Sequence, residues 1–262
     1  MSLVESEQDA ERGIVTLTIN RPEVLNALDA PTAQALRAAV EPLADCPGVR
    51  CVVLRGAGRA FMAGGDVARF AADPDRAGDT LDAILNAMHP VVETLRALDA
   101  PVLASVHGAV AGAGLSLLAA CDLAIAAAGT RFLIAYDRIG APPDCGGSVF
   151  LPRLLGERRA AELMLLSATW TAEQAQAHGL VNFVVAPEAL AEETRNLAQR
   201  LAGGPTLAYG HYKRLVDSSY AQPLSVQLEA EREAFRAATT SEDFRRNTAA
   251  FVAKEPTRFE GR

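Results

Sequence analysis

Two short segments rich in glycine and alanine constrain this chain more than any other feature of its sequence. The first covers residues 60–66 and the second residues 108–114. Each follows an apolar run and opens into an apolar pattern with helical spacing, so each places bare backbone N–H groups at the start of a helix. If the fold brings both segments together, their N–H groups can stabilise an oxyanion, which indicates chemistry on a carbonyl group.

Apolar strand patterns alternate with helical patterns through the first three quarters of the chain. This alternation predicts an α/β fold with buried parallel strands. Strands are predicted at 13–20, 49–54, 101–106 and 123–127, and helices at 29–44, 79–98 (interrupted at Pro90) and 115–120. Beyond Gly204 the patterns at 205–219, 223–238 and 242–254 are all helical. We therefore predict a core of residues 1–204 and a helical region of residues 205–262 that packs on the core or on a neighbouring subunit.

Composition excludes several classes of function. Half of the 262 residues are hydrophobic, which is typical of a folded chain with a large core. The net charge of −7 and the absence of a basic run argue against a nucleic-acid partner. No apolar run is long and uninterrupted enough to span a membrane, and the acidic first twelve residues do not resemble a secretory signal. The four cysteines form no CxxC pair, which favours reduced thiols in the cytoplasm.

The glycine turns lack the marks of common cofactor sites. Leu117 stands where a dinucleotide fingerprint has its third glycine, and neither lysine of the chain follows a glycine turn as a phosphate-binding loop requires. Leu118 replaces the closing glycine of a nucleophile elbow. The histidines show no metal-binding spacing, so we predict no metal site.

Four segments together resemble the crotonase family, the enoyl-CoA hydratase/isomerase superfamily, over nearly the whole chain. They are residues 20–28, 58–66, 107–122 and 251–254. The resemblance implies a spiral of ββα units followed by a C-terminal helical trimerisation region. It also implies a homotrimer or a hexamer of two trimers, and an acyl-CoA thioester substrate with no cofactor beyond its coenzyme A.

The resemblance also assigns residues to the thioester. The backbone N–H groups of Gly65 and Ala113 match the family's oxyanion donors. Coenzyme A is bound in the family by backbone that corresponds here to Ala27, Ala63 and Gly65. Phe251 and Lys254 match positions that contact coenzyme A, in many members from a neighbouring subunit.

The side chains around the acyl group select the reaction. The two glutamates of the family's hydratases fall at Ser116 and Tyr136, so hydration by a glutamate pair is not expected. Segment 138–148 resembles the 1,2-epoxyphenylacetyl-CoA isomerase group, in which an aspartate at the position of Asp144 is catalytic. Asp144 would then remove a proton from one carbon and return it two carbons away. The candidate acyl-pocket residues are His89, Leu115, Ser116, Phe132 and Tyr136, and segment 70–89 is expected to line the same pocket.

Other interpretations remain open at this stage. Asp144 also suits the N-cap of the helix that follows it. A hydratase-type lyase could use Asp144 in place of the usual acids. A dehalogenase or hydrolase acting on aryl-CoA could use Asp144 as nucleophile and His89 to activate water. Alternatively, His89 is only the residue at the helix break before Pro90. A non-catalytic protein that binds coenzyme A is the fourth interpretation.

Overall fold

A computed structural model describes residues 2–262, which form nine strands and eleven α-helices. The strands are β1 (Val4–Asp9), β2 (Ile14–Ile19), β3 (Cys51–Gly56), β4 (Val102–Val106), β5 (Ala109–Ala111), β6 (Leu123–Ala127), β7 (Arg131–Leu133), β8 (Thr169–Thr171) and β9 (Phe183–Val185). The helices are α1 (Ala30–Val40), α2 (Val67–Ala72), α3 (Ala77–Ala97), α4 (Ala113–Ala120), α5 (Gly147–Leu155), α6 (Glu157–Leu165), α7 (Ala172–Ala177), α8 (Leu190–Ala202), α9 (Thr206–Ser219), α10 (Leu224–Ala238) and α11 (Glu242–Ala253).

The main sheet has the strand order β1-β2-β3-β4-β6-β9 and is parallel from β2 onward. Each parallel crossover carries helical segments, which is the connection that parallel strands require. A second, small sheet has the order β5-β7-β8 and lies beyond the end of β4. The predicted α/β fold with buried parallel strands is therefore confirmed.

Both faces of the main sheet are buried, which explains the continuous apolar runs of β3 and β4. Val52 and Leu54 of β3 belong to the large core cluster that includes residues of α1 and α3. Cys51 and Val53 alternate with them and face a smaller cluster that includes Ala198 of α8. Side chains of a strand alternate between faces, so each face must be covered when every position is apolar.

Strand β1 was not predicted from the sequence. Four of its six residues are exposed and three are acidic, and it pairs with β2 antiparallel, Val4 opposite Ile19. It lies at the edge of the sheet, where main-chain hydrogen bonds to one neighbour suffice and charged side chains discourage further pairing. A strand of this kind carries little hydrophobic signal.

Helix α3 passes through Pro90 without interruption, contrary to the predicted break. The helix buries Ile84, Met88, Val91 and Leu95 along one side. This continuous apolar contact with the core outweighs the backbone hydrogen bond that a proline removes. The helix predicted over 29–44 instead ends at Val40 and continues as a 3-10 helix over Glu41–Asp45, which contains Pro42.

The three predicted C-terminal helices are present as α9, α10 and α11. Buried Lys213 fixes α9 to the core: its Nζ donates to the carbonyls of Leu95 and Ala100, each at 3.1 Å, and lies 2.8 Å from a carboxylate oxygen of Asp122. The guanidinium of Arg96 bridges Asp122 and Asp217 of α9. Among residues 2–262, no helix is both long enough and apolar enough to cross a membrane.

Replacing Lys213 with methionine is expected to lower the free energy of unfolding by about 3 kcal/mol, because it leaves the partly buried Asp122 carboxylate without one of its cationic partners. Urea denaturation followed by circular dichroism measures the change. Lys254→Met makes the same chemical change at an exposed position and should alter stability by less than about 0.5 kcal/mol. Equal losses in the two variants would contradict the role given to Lys213.

Candidate active site

The two glycine-rich turns are joined by backbone hydrogen bonds. The N–H of Met62 donates to the carbonyl of Ala109 at 3.2 Å, and the N–H of Ala111 donates to the carbonyl of Met62 at 2.9 Å. Met62 and Val110 thus form an isolated parallel bridge. The fold brings together the two segments that the sequence singled out.

Glycine is required where the two turns cross. Gly64 has φ +97° and Gly112 has φ +49°, both in the region that side chains disfavour. A Cβ at Gly64 would lie 3.2 Å from the carbonyl oxygen of Ala111, and a Cβ at Gly112 would lie 3.3 Å from the Cα of Gly64. Any side chain at either position would push the two backbones apart.

Fully buried Asn26 organises the first turn. Its amide nitrogen donates to the carbonyls of Ala57, Ala60 and Phe61 at 2.9, 2.8 and 3.2 Å, and its amide oxygen accepts from the N–H of Arg21 at 2.8 Å. These contacts satisfy buried carbonyls that would otherwise be costly. Asn26 therefore supports the first turn from behind and does not itself line the site.

A second contact holds the end of the first turn. The N–H of Leu28 donates to the carbonyl of Gly64 at 2.7 Å, and the N–H of Asp66 donates back to Leu28 at 2.9 Å. The guanidinium of Arg21 lies 2.9 Å from the Asp66 carboxylate. Gly65 is thus fixed from both sides by its neighbours in the chain.

The N–H groups of Gly65 and Ala113 are free to bind a ligand. Within residues 2–262, neither donates to a protein acceptor. Ala113 is the first residue of α4, where backbone N–H groups lack intrahelical partners and the helix dipole is positive. Both residues line one cavity of about 710 Å³.

The walls of this cavity are mostly apolar. Helices α2 and α3 supply Val67, Phe70, Leu81, Ile84 and Leu85. The cavity is also lined by Ile134, Ile139, Pro142 and Pro143. Segment 70–89 was expected to line the pocket, and its residues up to Leu85 contribute to the cavity wall.

Asp144 is the carboxylate that lines this cavity. The hydroxyl of Tyr136 donates a short hydrogen bond to Oδ1 of Asp144, and Oγ of Ser116 lies 3.4 Å from the same hydroxyl. Burial and the neighbouring Asp144 carboxylate raise the pKa of Tyr136. The phenol therefore keeps its proton across the physiological range.

Asp144 does not cap the following helix. Helix α5 begins at Gly147 after Gly146, and the Gly147 N–H donates to the main-chain carbonyl of Asp144 at 2.9 Å. The Asp144 side chain is turned toward Tyr136 instead. The cap interpretation of Asp144 is wrong, because the φ of +84° at Gly146 directs the chain into the helix without a side-chain cap.

Several candidate pocket residues lie elsewhere. His89 is exposed on the face of α3 opposite its buried stripe, because the helix continues through Pro90. Leu115 and Phe132 are fully buried in the core and do not line the cavity. Ser116 is also fully buried and reaches the site through Tyr136.

Of the five residues matched to coenzyme A binding, two line the cavity and three do not. Ala63 and Gly65 line the cavity, whereas Ala27 is buried with its N–H bonded to Val24 and its carbonyl bonded to Arg21. Phe251 is 78% exposed on α11 and Lys254 is exposed at its end. Neither of these two lines the cavity of the same chain.

Comparison with known proteins identifies the family. A family model described as enoyl-CoA hydratase/isomerase matches residues 9–262. The 1,2-epoxyphenylacetyl-CoA isomerase of Escherichia coli (strain K12) is 38% identical over 253 residues, covering 96% of this chain and 97% of that one. The chain belongs to the enoyl-CoA hydratase/isomerase family.

Other members of the enoyl-CoA hydratase/isomerase family agree with this assignment. A Rhodobacter capsulatus protein named "Probable enoyl-CoA hydratase" is 36% identical over 263 residues, covering the whole of both chains. The crystal structure of a Mycobacterium abscessus protein assigned to the enoyl-CoA hydratases/isomerases superimposes with a TM-score of 0.92 at 36% identity, over 99% of this chain and 100% of that one. The crotonase-like fold expected from the sequence is confirmed.

The cysteines of this enoyl-CoA hydratase/isomerase family member are not arranged as nucleophiles. Cys51, Cys121 and Cys145 are buried thiols, whereas Cys46 is exposed. Burial raises the pKa of Cys51 and of Cys121 to about 12 and also raises the pKa of Cys145. Among residues 2–262, no group of three or more His, Cys, Asp or Glu side chains could hold a metal ion.

In the folded protein at pH 8, iodoacetamide is expected to alkylate Cys46 and to leave the other three cysteines unmodified. The buried thiols are both inaccessible and protonated, and the thiolate is the reactive form. Mass spectrometry of proteolytic peptides measures the result, with the protein unfolded in urea as the control in which all four react. Rapid native labelling of Cys145 would contradict this description of the site.

Proposed function

We propose that this chain is an acyl-CoA isomerase that shifts a double bond through a thioester enolate, with Asp144 as the base. One observation supports this function best: the Asp144 carboxylate lines the same apolar cavity as the free N–H groups of Gly65 and Ala113. The cavity would thus contain a proton acceptor and two hydrogen-bond donors that can stabilise an oxyanion.

The two N–H groups would form the oxyanion hole. When a proton leaves the α-carbon, negative charge moves onto the thioester oxygen. Donors that are fixed before the reaction stabilise this charge without reorganisation, and each contributes roughly 3 kcal/mol by analogy with single-donor deletions. The pairing of Met62 with Ala109 and Ala111 keeps Gly65 and Ala113 in place for this role.

Asp144 would transfer the proton within the enolate. Its carboxylate removes a proton from the α-carbon, the dienolate is held by the two N–H groups, and the same proton is returned two carbons away. The apolar walls supplied by α2 and α3 would limit access of water to the intermediate. A single carboxylate is sufficient for this sequence.

Hydration is the second candidate, because the Rhodobacter capsulatus relative carries a hydratase name. Water addition in the family uses two acids, and Ser116 and Tyr136 occupy their positions here. In this chain these two side chains are hydrogen-bonded to each other, and the Tyr136 hydroxyl donates to Asp144. The name of the Escherichia coli relative supports isomerisation instead.

The remaining alternatives are less well supported. A dehalogenase or hydrolase would need His89 near Asp144 to activate water, and His89 is exposed outside the cavity. A non-catalytic protein that binds coenzyme A would bind acyl-CoA equally well after substitution of Asp144 and would turn over no thioester.

We further propose that residues 205–262 form the oligomerisation region of a homotrimer or a hexamer. Large apolar side chains on α10 and α11 are exposed, among them Leu224, Phe235 and Val252. A neighbouring copy would cover them and would bring its own Phe251 and Lys254 to coenzyme A.

The buried free thiols fit a cytoplasmic protein.

Replacing Asp144 with asparagine is expected to lower kcat by about 100-fold to 10,000-fold on a panel of 3-enoyl-CoA thioesters, because it removes the base but keeps the side-chain shape. Liquid chromatography coupled to mass spectrometry in deuterated water measures turnover and separates the reactions: a new peak with the mass of the substrate, or with deuterium alone, is an isomer, and a gain of water indicates hydration.

Asp82→Asn is the matched control, since Asp82 is exposed on α3 and should leave kcat unchanged. Undiminished turnover by the Asp144 variant would reject Asp144 as the base. A gain of water as the main product would favour the hydratase.

Replacing Ala113 with proline is expected to lower kcat by about 100-fold to 1,000-fold, because proline lacks the N–H donor. Proline is tolerated at the first position of a helix, so α4 should still form. Steady-state kinetics measures the loss, and thermal unfolding checks the fold. Ala30→Pro makes the same change at the first position of α1 and should keep full activity. Equal activity of the two variants would exclude the Ala113 N–H as a donor.

A further inference from the structure

We propose that Tyr136 is a positioning residue that occupies Oδ1 of Asp144, so that Oδ2 alone carries the proton in both transfers. Ser116 holds the Tyr136 hydroxyl in this orientation. The inference rests on the proposed isomerase function and explains how the Asp144 carboxylate is oriented.

The direction of the hydrogen bonds follows from the groups involved. The Tyr136 hydroxyl has one hydrogen, and the carboxylate of Asp144 can only accept, so the phenol donates to Oδ1. The phenol oxygen can then accept from Ser116, whose Oγ lies 3.4 Å away. Within residues 2–262, Oγ of Ser116 has no other hydrogen-bond partner.

Tyr136 is suited to be a permanent donor. It is buried, and burial together with the adjacent carboxylate raises its pKa, so it stays protonated at the pH at which Asp144 acts. Its hydrogen points to Asp144 and is not available to the substrate. A positioning role therefore fits Tyr136 better than a role as a second acid or base.

The backbone fixes the three side chains relative to each other. Ala135 has φ +61° and directs the chain into the 3-10 helix Tyr136–Ile139, and the Ala141 N–H donates back to the Tyr136 carbonyl at 3.0 Å. Gly147 packs directly on Ser116, where a Cβ would collide with Oγ. These contacts leave the three side chains little space to change conformation.

A single available oxygen has a consequence for the proton. The C2–H bond breaks as the Oδ2–H bond forms, and the electron pair moves to the thioester oxygen. The Oδ2–H bond then breaks as the C4–H bond forms, and the electron pair returns from oxygen. Both transfers use one oxygen on one side of the dienolate, so part of the label from C2 should reach C4 without exchange.

The test uses trans-3-hexenoyl-CoA deuterated at C2, with the full-length protein in ordinary water. The wild type is expected to transfer a measurable fraction of deuterium from C2 to C4. In Tyr136→Phe the freed carboxyl group can rotate and exchange its deuteron with water, so this fraction should fall. The value of kcat should fall by about tenfold to a hundredfold, and KM should change by less than about threefold because the contact does not involve the substrate.

Tyr212→Phe is the matched control, since Tyr212 is exposed on α9 and loses a hydroxyl far from Asp144. Ser116→Ala gives a second measure and should reduce deuterium transfer and lower kcat by about threefold. If circular dichroism shows that Tyr136→Phe does not fold, the deuterium transfer of Ser116→Ala decides the question: a reduced fraction supports the proposal and an unchanged fraction overturns it.

The failures of the two proposals are distinct. Loss of activity in Asp144→Asn together with wild-type kcat and deuterium transfer in Tyr136→Phe overturns the positioning role alone. A raised KM with unchanged kcat in Tyr136→Phe also overturns it, because Tyr136 would then contact substrate. Absence of isomerisation by the wild type on every 3-enoyl-CoA overturns both.

Discussion

The backbone of Met62 is hydrogen-bonded through both its N–H and its carbonyl to the strand Ala109–Ala111, and the geometry of the cavity depends on this pairing. It joins two segments that follow neighbouring parallel strands, β3 and β4. The glycines at 64 and 112 allow the backbones to cross closely. The free N–H groups of Gly65 and Ala113 therefore belong to residues that line one cavity as a result of main-chain geometry, independent of side-chain conformation.

The side chains around this pairing have two separate tasks. Asn26 and Arg21 stabilise the first turn from behind, through carbonyls and through Asp66. Tyr136 donates to the Asp144 carboxylate, which lines the same cavity, and Ser116 contacts the Tyr136 hydroxyl. The first task is compatible with any reaction that passes through a thioester enolate, whereas in the proposed isomerase the second sets which carboxylate oxygen is available to the substrate.

Much of the fold could be predicted from the sequence, because helices with a long apolar stripe and buried strands leave strong periodic patterns. Strand β1 escaped prediction since its pairing is made by main-chain atoms under acidic side chains. The pairing of the two turns was a correct hypothesis, but the hydrogen bonds of Asn26 were not foreseeable, as they join residues more than thirty positions apart. His89 was misplaced because a break was expected at Pro90, whereas α3 continues through it and leaves His89 exposed outside the buried stripe.

The two lysines of this arginine-rich chain have opposite environments, and this has a practical consequence. Lys213 is buried against carbonyls and a carboxylate, while Lys254 is exposed at the end of α11. Of the two lysines, amine-specific reagents should therefore modify Lys254 in the native protein and leave Lys213 unmodified. A fluorophore attached there would lie next to the exposed apolar residues of α11 and would report on whatever covers them.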